Sequence, residues 1–380
     1  MIYADHAATT CLCPQAQEAM LRGIREFWGN PSSLHRPGQA AAAALGDARE
    51  AIARLLGASP REIYFTSGGT EGDNQAIISA AALGATQGKR RLICSAIEHH
   101  AVLRTMEYLK SRGFLVTYLP VNAGGLVQPE KLEKAIGTDT ALVSVMTVNN
   151  EVGTVQPVDA LLQICRDHGV PFHTDAVQAV GHIPVDLRKT PVDYLTLSAH
   201  KFGGPRGVGV LYVKSGTRLQ PLLHGGAQER GKRAGTENLP AILGMAAAME
   251  QEITHLPEHM ATVSGLRDRL ISGLMALPGC HLNGDRAHLA PGIVNVCLEG
   301  IEGETLLLLL DQAGICASAG SACSAGALEP SHVLLRMGVD PGLAQGSLRL
   351  SLGWENTPEE IDTIVSQVGE ILHQLRAMHR

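Results

Sequence analysis

The stretch 194-YLTLSAHKFGGPRGVGVLYV-213 holds two short runs of β-favouring residues, 194-YLTLS-198 and 208-VGVLYV-213, joined by a glycine-rich turn. Lys201 stands where the first run ends, beside His200. Most lysines lie on solvated helix faces, and one lysine alone carries little information. An amine at a strand end, next to another polar ring and a turn that lets a ligand approach, also suits bond formation to a carbonyl carbon.

Working outward, 63-IYFT-66, 92-LICS-95, 115-LVTYL-119, 142-LVSVMTV-148 and 171-PFHT-174 read as further strands. Stretches with helical period at 38–56, 70–86, 100–112, 129–136 and 157–168 alternate with them. That alternation predicts βαβ units, hence a mostly parallel sheet covered by helices. The texture changes near residue 250: a helix over 260–276, a strand-like 292-GIVNVCL-298, an acidic helix start at Glu302 and an amphipathic helix over 358–378 predict a smaller α/β lobe. The boundary is soft, because 239–276 reads as one helix interrupted near Pro257.

Composition narrows the class. With 45% hydrophobic residues, the 380-residue chain has the make-up of a globular protein. Its 31 Lys plus Arg are scattered among 37 Asp plus Glu, for a net charge of −6, which argues against direct nucleic-acid binding and against an anionic membrane surface. The apolar runs 40-AAAAAL-45 and 306-LLLLL-310 fall short of the roughly 20 residues that cross a bilayer. The opening MIYADHAATT lacks the basic and apolar regions of a signal peptide, so a soluble, cytoplasmic protein is expected. Eight cysteines without a CxxC pair predict reduced thiols, and Cys11-Leu12-Cys13 has no second pair to complete a metal site, so no metal is expected.

Two more segments could carry chemistry. In 66-TSGGTEGDN-74, a Gly-Gly-Thr turn after a strand opens a helix, whose first N–H groups could hold a phosphate. In 173-HTDAVQAVG-181, Asp175 falls at the C-terminal end of a strand, where parallel α/β proteins build their sites. Each reads equally well as an ordinary helix cap. Together, the turn, the carboxylate and the strand-end lysine match the phosphate, ring nitrogen and aldehyde of pyridoxal 5′-phosphate. Cys323, in 317-ASAGSACSAGALEPS-331, lies among residues too small to anchor it; an incidental loop thiol and a nucleophile that must move both fit.

The chain resembles the NifS/IscS-like cysteine desulfurases of the class-V aminotransferase family. The resemblance runs nearly end to end, through 6-HAATT-10, 29-GNPSSLH-35, 66-TSGGTEGDN-74, 98-EHHAVL-103, 149-NNEVGT-154, 173-HTDAVQAVG-181, 198-SAHKFGGPRGVGVLY-212, 228-QERGKRAGTEN-238, 318-SAGSAC-323 with 328-LEPSHV-333, and 348-LRLSLG-353. It implies the aspartate-aminotransferase-like α/β fold (pyridoxal-phosphate fold type I). The large domain, 13–255, would hold a mostly parallel seven-stranded sheet, and 1–12 with 256–380 would form a smaller domain carrying the cysteine loop.

The resemblance further implies that Lys201 bonds to the cofactor aldehyde, Asp175 pairs with the ring nitrogen and His99 stacks on the ring. Gln178 and Asn150 would lie at its phenolic side. Gly69, Thr70, Ser198 and His200 would hold the phosphate, joined by Thr236 from the second subunit of a homodimer. Arg349 would bind the substrate carboxylate, with Asn150 nearby. Cys323 would take sulfur from L-cysteine as a persulfide, leaving alanine, and pass it to an acceptor protein for iron–sulfur cluster assembly or another thiolation pathway. Selenocysteine lyase, or a non-catalytic sulfur carrier on the same fold, is the alternative; a carrier has no need of Lys201, Asp175, His99 and Arg349 together. The short segment after 358–378 puts in doubt one partnership, the docking of an iron–sulfur scaffold on a longer C-terminal extension. Gly320 and Gly326 are candidate hinges, with Pro330 as a stop, and 318–328 is expected to be poorly ordered.

Overall fold

The structure, a computed structural model, describes residues 1–320 and 330–378. In chain order the strands are β1 (Ile2–Tyr3), β2 (Ile63–Thr66), β3 (Arg91–Ser95), β4 (Leu115–Leu119), β5 (Thr140–Ser144), β6 (Phe172–Asp175), β7 (Tyr194–Ser198), β8 (Gly209–Val213), β9 (Cys280–Asn283), β10 (Ile293–Leu298), β11 (Ile315–Cys316) and β12 (Ser347–Ser351). Seven of them form one sheet in the order β2-β8-β7-β6-β5-β3-β4. Only β8 runs against the rest.

The central strands β5, β6 and β7 are buried at every residue, which is what a sheet covered on both faces demands of its sequence. One face packs a core that includes Phe172, Leu197 and Val210, and the other a core that includes Leu92, Leu142 and Leu211. Since β3 is followed outward by β4, while β5 returns on the other side of β3, the order reverses between β3 and β5. Loops diverge at such a point and leave a crevice at the strands' C-terminal edge.

A three-stranded antiparallel sheet, β12-β10-β9, has its own core, including Val294, Leu350 and Ile364, under the helices Leu256–Met275 and Pro358–Met378. Residues 4–7 tie it to the rest: His6 N and Ala7 N donate to the Ser351 carbonyl and Oγ at 3.2 and 2.8 Å.

Two expected boundaries move. The run 142–148 ends as regular strand at Ser144: Val145 N and Thr147 N still donate to the His173 and Asp175 carbonyls of β6, but Met146 N donates to the Glu98 carboxylate at 3.0 Å instead of pairing with β3. The helix expected over 260–276 starts earlier, as Leu256–Met275, directly after Leu239–Thr254; the interruption expected near Pro257 is there, with Pro257 in the first turn of the second helix, where its missing N–H costs nothing. Among the described residues, no helix is long and apolar enough to cross a membrane.

Candidate active site

Five parallel strands deliver the candidate residues to one edge of the large sheet. Asp175 closes β6 and Ser198 closes β7; Lys201 follows one turn later. Gly69 and Thr70 open the helix after β2, His99 caps the helix after β3, and Asn150 lies beyond β5. Gly69, Thr70, His99, Asn150, Asp175, Gln178, Ser198, His200, Lys201 and Arg349 all line one cavity of about 210 Å³. Arg349 is brought in from β12 of the other sheet.

The turn 67–70 lines a second cavity with Ser198, His200 and Arg206. Gly68 has φ +147, a backbone state that side chains avoid, and a Cβ on Gly69 would lie 2.8 Å from Val177 Cγ2. The chain can therefore pass close to β6 and aim the first, intrahelically unpaired N–H groups of helix Gly69–Ala85 into the cavity.

Asp175 is 5% exposed, and its Oδ1 accepts from Val177 N at 2.9 Å. Burial, and then the nearby Asp73, push its carboxyl up to about 7. The Lys201 charge offsets this only in part, and a protonated ring nitrogen would bring a direct partner. Lys201 Nζ donates to the Ala7 and Ala8 carbonyls at 2.6 and 2.9 Å, and Gln178 Nε2 also donates to Ala7 O, at 2.8 Å. The 6-HAATT-10 motif thus places the lysine amine.

His99 Nδ1 accepts from Ala101 N at 3.1 Å, so the neutral ring carries its proton on Nε2. Burial, and next the Lys201 ammonium, lower its pKa to about 4. His100 turns away from the cavity and packs on His332 with ring centroids 4.9 Å apart. Arg349 is 1% exposed; Nη1 donates to Asn150 O at 3.0 Å and Nη2 to Asp5 Oδ1 at 2.8 Å, while Nε has no partner among the described residues.

The amine, the buried carboxyl, the glycine turn and the unmatched Arg349 donor fit pyridoxal 5′-phosphate and an amino-acid carboxylate. Thr236 is not brought in: it is exposed, and lines neither cavity. Cys323, Gly326 and most of the segment expected to be loose lie outside the described residues. The described start of that segment is pinned, because Ser318 and Arg349 exchange backbone bonds at 3.1 and 2.6 Å and Ala319 O accepts from Ser347 Oγ at 2.8 Å. On the far side, Ser331 Oγ donates to the Glu151 carboxylate.

Asp5, Asp73 and Glu98 were not singled out from sequence. Asp73 and Glu98 sit inside quoted motifs and Asp5 directly precedes one, but their burial and partners are long-range facts.

Comparison with known proteins agrees with this geometry. The aminotransferase class-V family model matches residues 2–364. "Cysteine desulfurase IscS" of Methanosarcina thermophila is 50% identical over 99% of this chain and 93% of its own length. A "cysteine desulfurase" of Trichormus azollae is 46% identical over 100% of this chain and 94% of its own. A solved "NifS-like protein" superposes with a TM-score of 0.92 at 44% identity, over 98% of this chain and 99% of that one. The structure titled "SspA in complex with cysteine" gives 0.82 at 35% identity, over 94% and 100%. With its seven-stranded sheet, its lysine after β7 and relatives that match it from end to end, the chain belongs to the class-V aminotransferase family and, within it, to the pyridoxal-phosphate-dependent cysteine desulfurases.

Proposed function

We propose that this desulfurase takes sulfur from L-cysteine in the cavity that Lys201, Asp175, His99 and Arg349 share, and that Cys323 receives it. The convergence of those four side chains, drawn from two sheets, carries the reading; the relative solved with cysteine supports the substrate.

Pyridoxal phosphate, when bound, provides an electron sink that makes the carbon–sulfur bond of the substrate labile. Asp175, as carboxylate, keeps a proton on the ring nitrogen. Gly69, Thr70, Ser198 and His200 hold the phosphate, and Gln178 and Asn150 flank the ring. Lys201 would hold the cofactor at its aldehyde carbon, and its amine, once free, would move a proton at the substrate α-carbon. Arg349, its fork fixed by Asp5 and Asn150 O, binds the substrate carboxylate. His99 would lie against the ring and, neutral at pH 7 because burial lowers it to about 4, could exchange a proton through Nε2.

The Cys323 thiolate attacks the substrate sulfur. The S–S bond forms as the carbon–sulfur bond breaks, and the electron pair stays on the carbon that, once protonated, becomes the methyl of alanine. An ordinary thiol with a pKa near 8.5 is only a few per cent thiolate at pH 7, so a neighbouring base must take its proton.

Further parts of the reading concern the assembly. A homodimer would bring Thr236 to the partner's phosphate, and the strongly exposed Trp28, just before the 29-GNPSSLH-35 motif, and Leu34 within it suit a covered surface. Residues 13–255 form the cofactor domain, with 1–12 and 256–380 as the smaller one. The enzyme works in the cytoplasm and hands sulfur to an acceptor protein for iron–sulfur cluster assembly or another thiolation pathway.

The deciding experiment is Cys323→Ala in the loaded enzyme. The visible cofactor band should remain, while alanine formation with persulfide disappears; full turnover would overturn the assignment of Cys323. Mixing Thr236→Ala with Lys201→Ala subunits tests the shared site: a hybrid dimer puts both lesions in one site, so activity should rise above that of either variant alone, whereas no gain on mixing would count against it.

A further inference from the structure

Behind Asp175 lies a second buried carboxyl that the reaction above does not use. Asp73, one turn into helix Gly69–Ala85, is 1% exposed and lines the same cavity. Its Oδ1 has no hydrogen-bond partner among the described residues; His173 Nε2, at 3.5 Å, is too far to be one. Thr196 of β7 stands between the two, its hydroxyl beside the Asp73 carboxyl and 3.1 Å from His173 Nε2. The other nitrogen, His173 Nδ1, is 2.8 Å from Ser144 Oγ.

The charged and titratable groups around Asp73 are few. Asp175 and His173 come from β6, Glu98 from the turn after β3 and Lys201 from the turn after β7; the one arginine lining the cavity, Arg349, is already paired with Asp5. Burial lowers His173 to about 4, so its ring is neutral and brings no positive charge. Three carboxyls therefore share a water-poor site, and carboxylates so placed do not all ionise. With Lys201 engaged by the cofactor as read above, one protonated ring nitrogen can balance one of them.

We propose that Asp73 is a positioning residue whose carboxyl stays protonated in the loaded enzyme, leaving Asp175 alone to face the cofactor's ring nitrogen with a full negative charge. The inference rests on the role given to Asp175 above. It fixes the direction of the buried hydrogen-bond chain: Asp73 O–H donates to Thr196 Oγ1, Thr196 O–H to His173 Nε2, and His173 Nδ1–H to Ser144 Oγ. An ionised Asp73 requires the opposite direction throughout, with the His173 proton on Nε2. Burial, opposed only by the Thr196 bond, raises the Asp73 carboxyl to about 7, in the sense this direction needs.

The tautomer of His173 decides the matter without any measurement of turnover. In the loaded enzyme with ¹⁵N-labelled histidine, assigned by loss of signal in His173→Gln, the proton should sit on Nδ1. With ¹³C-labelled aspartate, the infrared spectrum at pH 7 should contain a protonated aspartyl carbonyl band that Asp73→Asn removes while the visible cofactor band persists. A proton on Nε2 of His173, or no such carbonyl band in the unaltered enzyme, overturns the proposal whether or not the variants fold. Failure of the underlying reading looks different: Asp175→Asn would then leave the ring nitrogen protonated, as reported by the ¹⁵N shift of labelled cofactor.

Discussion

Arg349→Lys separates geometry from charge. The planar guanidinium grips Asp5 and Asn150 O and, in the role proposed for it, a substrate carboxylate as well; lysine keeps the positive charge but cannot hold all three. A hydrogen bond to a charged group contributes about 1.5–3 kcal/mol, so KM for cysteine should rise roughly 10- to 100-fold while the cofactor band stays in place. An unchanged KM in steady-state assays would remove Arg349 from substrate binding. The partner Asp5 lies 344 residues away in sequence, and no local pattern could announce it. His99 shows the same limit: the order E-H-H-A-V-L offers two adjacent imidazoles, and helix capping decides between them, since His99 as N-cap points its ring into the cavity while His100, the first helical residue, turns toward His332. Lys201 and Asp175 were more legible, because a strand end is a local feature and both stand at one.

At the scale of elements, the segment before Thr236 is held by an unusual support. Glu229 and Arg230 both have positive φ, at 47° and 57°, in a backbone state that non-glycine residues seldom adopt. Glu229 is 4% exposed and is gripped by Arg49 through two bonds of 2.8 and 2.6 Å, while also accepting from Phe65 N at 3.0 Å on β2. Removing one partner of a buried pair leaves a stranded charge and costs about 3–5 kcal/mol. Arg49→Ala should therefore lower the melting temperature markedly. Arg54→Ala, which breaks an exposed pair with Glu250, should change stability by about 0–1 kcal/mol. Equal shifts in a thermal melt would contradict this account. Some elements are readable from the sequence, β4 to the residue and the helix expected over 38–56 at its end, Leu56, though it starts two residues earlier at Arg36. The helix Pro14–Glu26 was not, because it buries only Ala16 and Gly23 and leaves Leu21 and Ile24 exposed, so its apolar pattern does not mark a core face.

Across the whole molecule, two sets of buried groups pull stability in opposite directions with pH. Burial raises Asp73 and Asp175 to about 7 and Glu98 to about 8. What a raised carboxyl contributes is present below its unfolded pKa near 4 and is lost as pH climbs through the folded value. Burial lowers His6, His99, His173 and His200 from 6.5 to about 4. Their contribution is complete above pH 6.5 and disappears as pH falls toward 4. Between pH 4 and 6.5 the two sets oppose each other; above 6.5 the histidine contribution levels off within about one pH unit, and the three carboxyls with their higher folded pKa set the slope. The cofactor-free protein should therefore lose stability from pH 6.5 to 8, by about 1.4 kcal/mol per pH unit for each proton the native state retains beyond the unfolded one. On the role proposed for Asp175, loading with pyridoxal phosphate would give it a cationic partner, lower its folded pKa and remove its share of the decline. Melting curves of stripped and loaded enzyme over this range should thus diverge as pH rises, and Glu98→Gln should flatten the stripped curve. A stripped protein whose melting temperature holds or climbs from pH 6.5 to 8 would show that these carboxyls are already ionised without the cofactor.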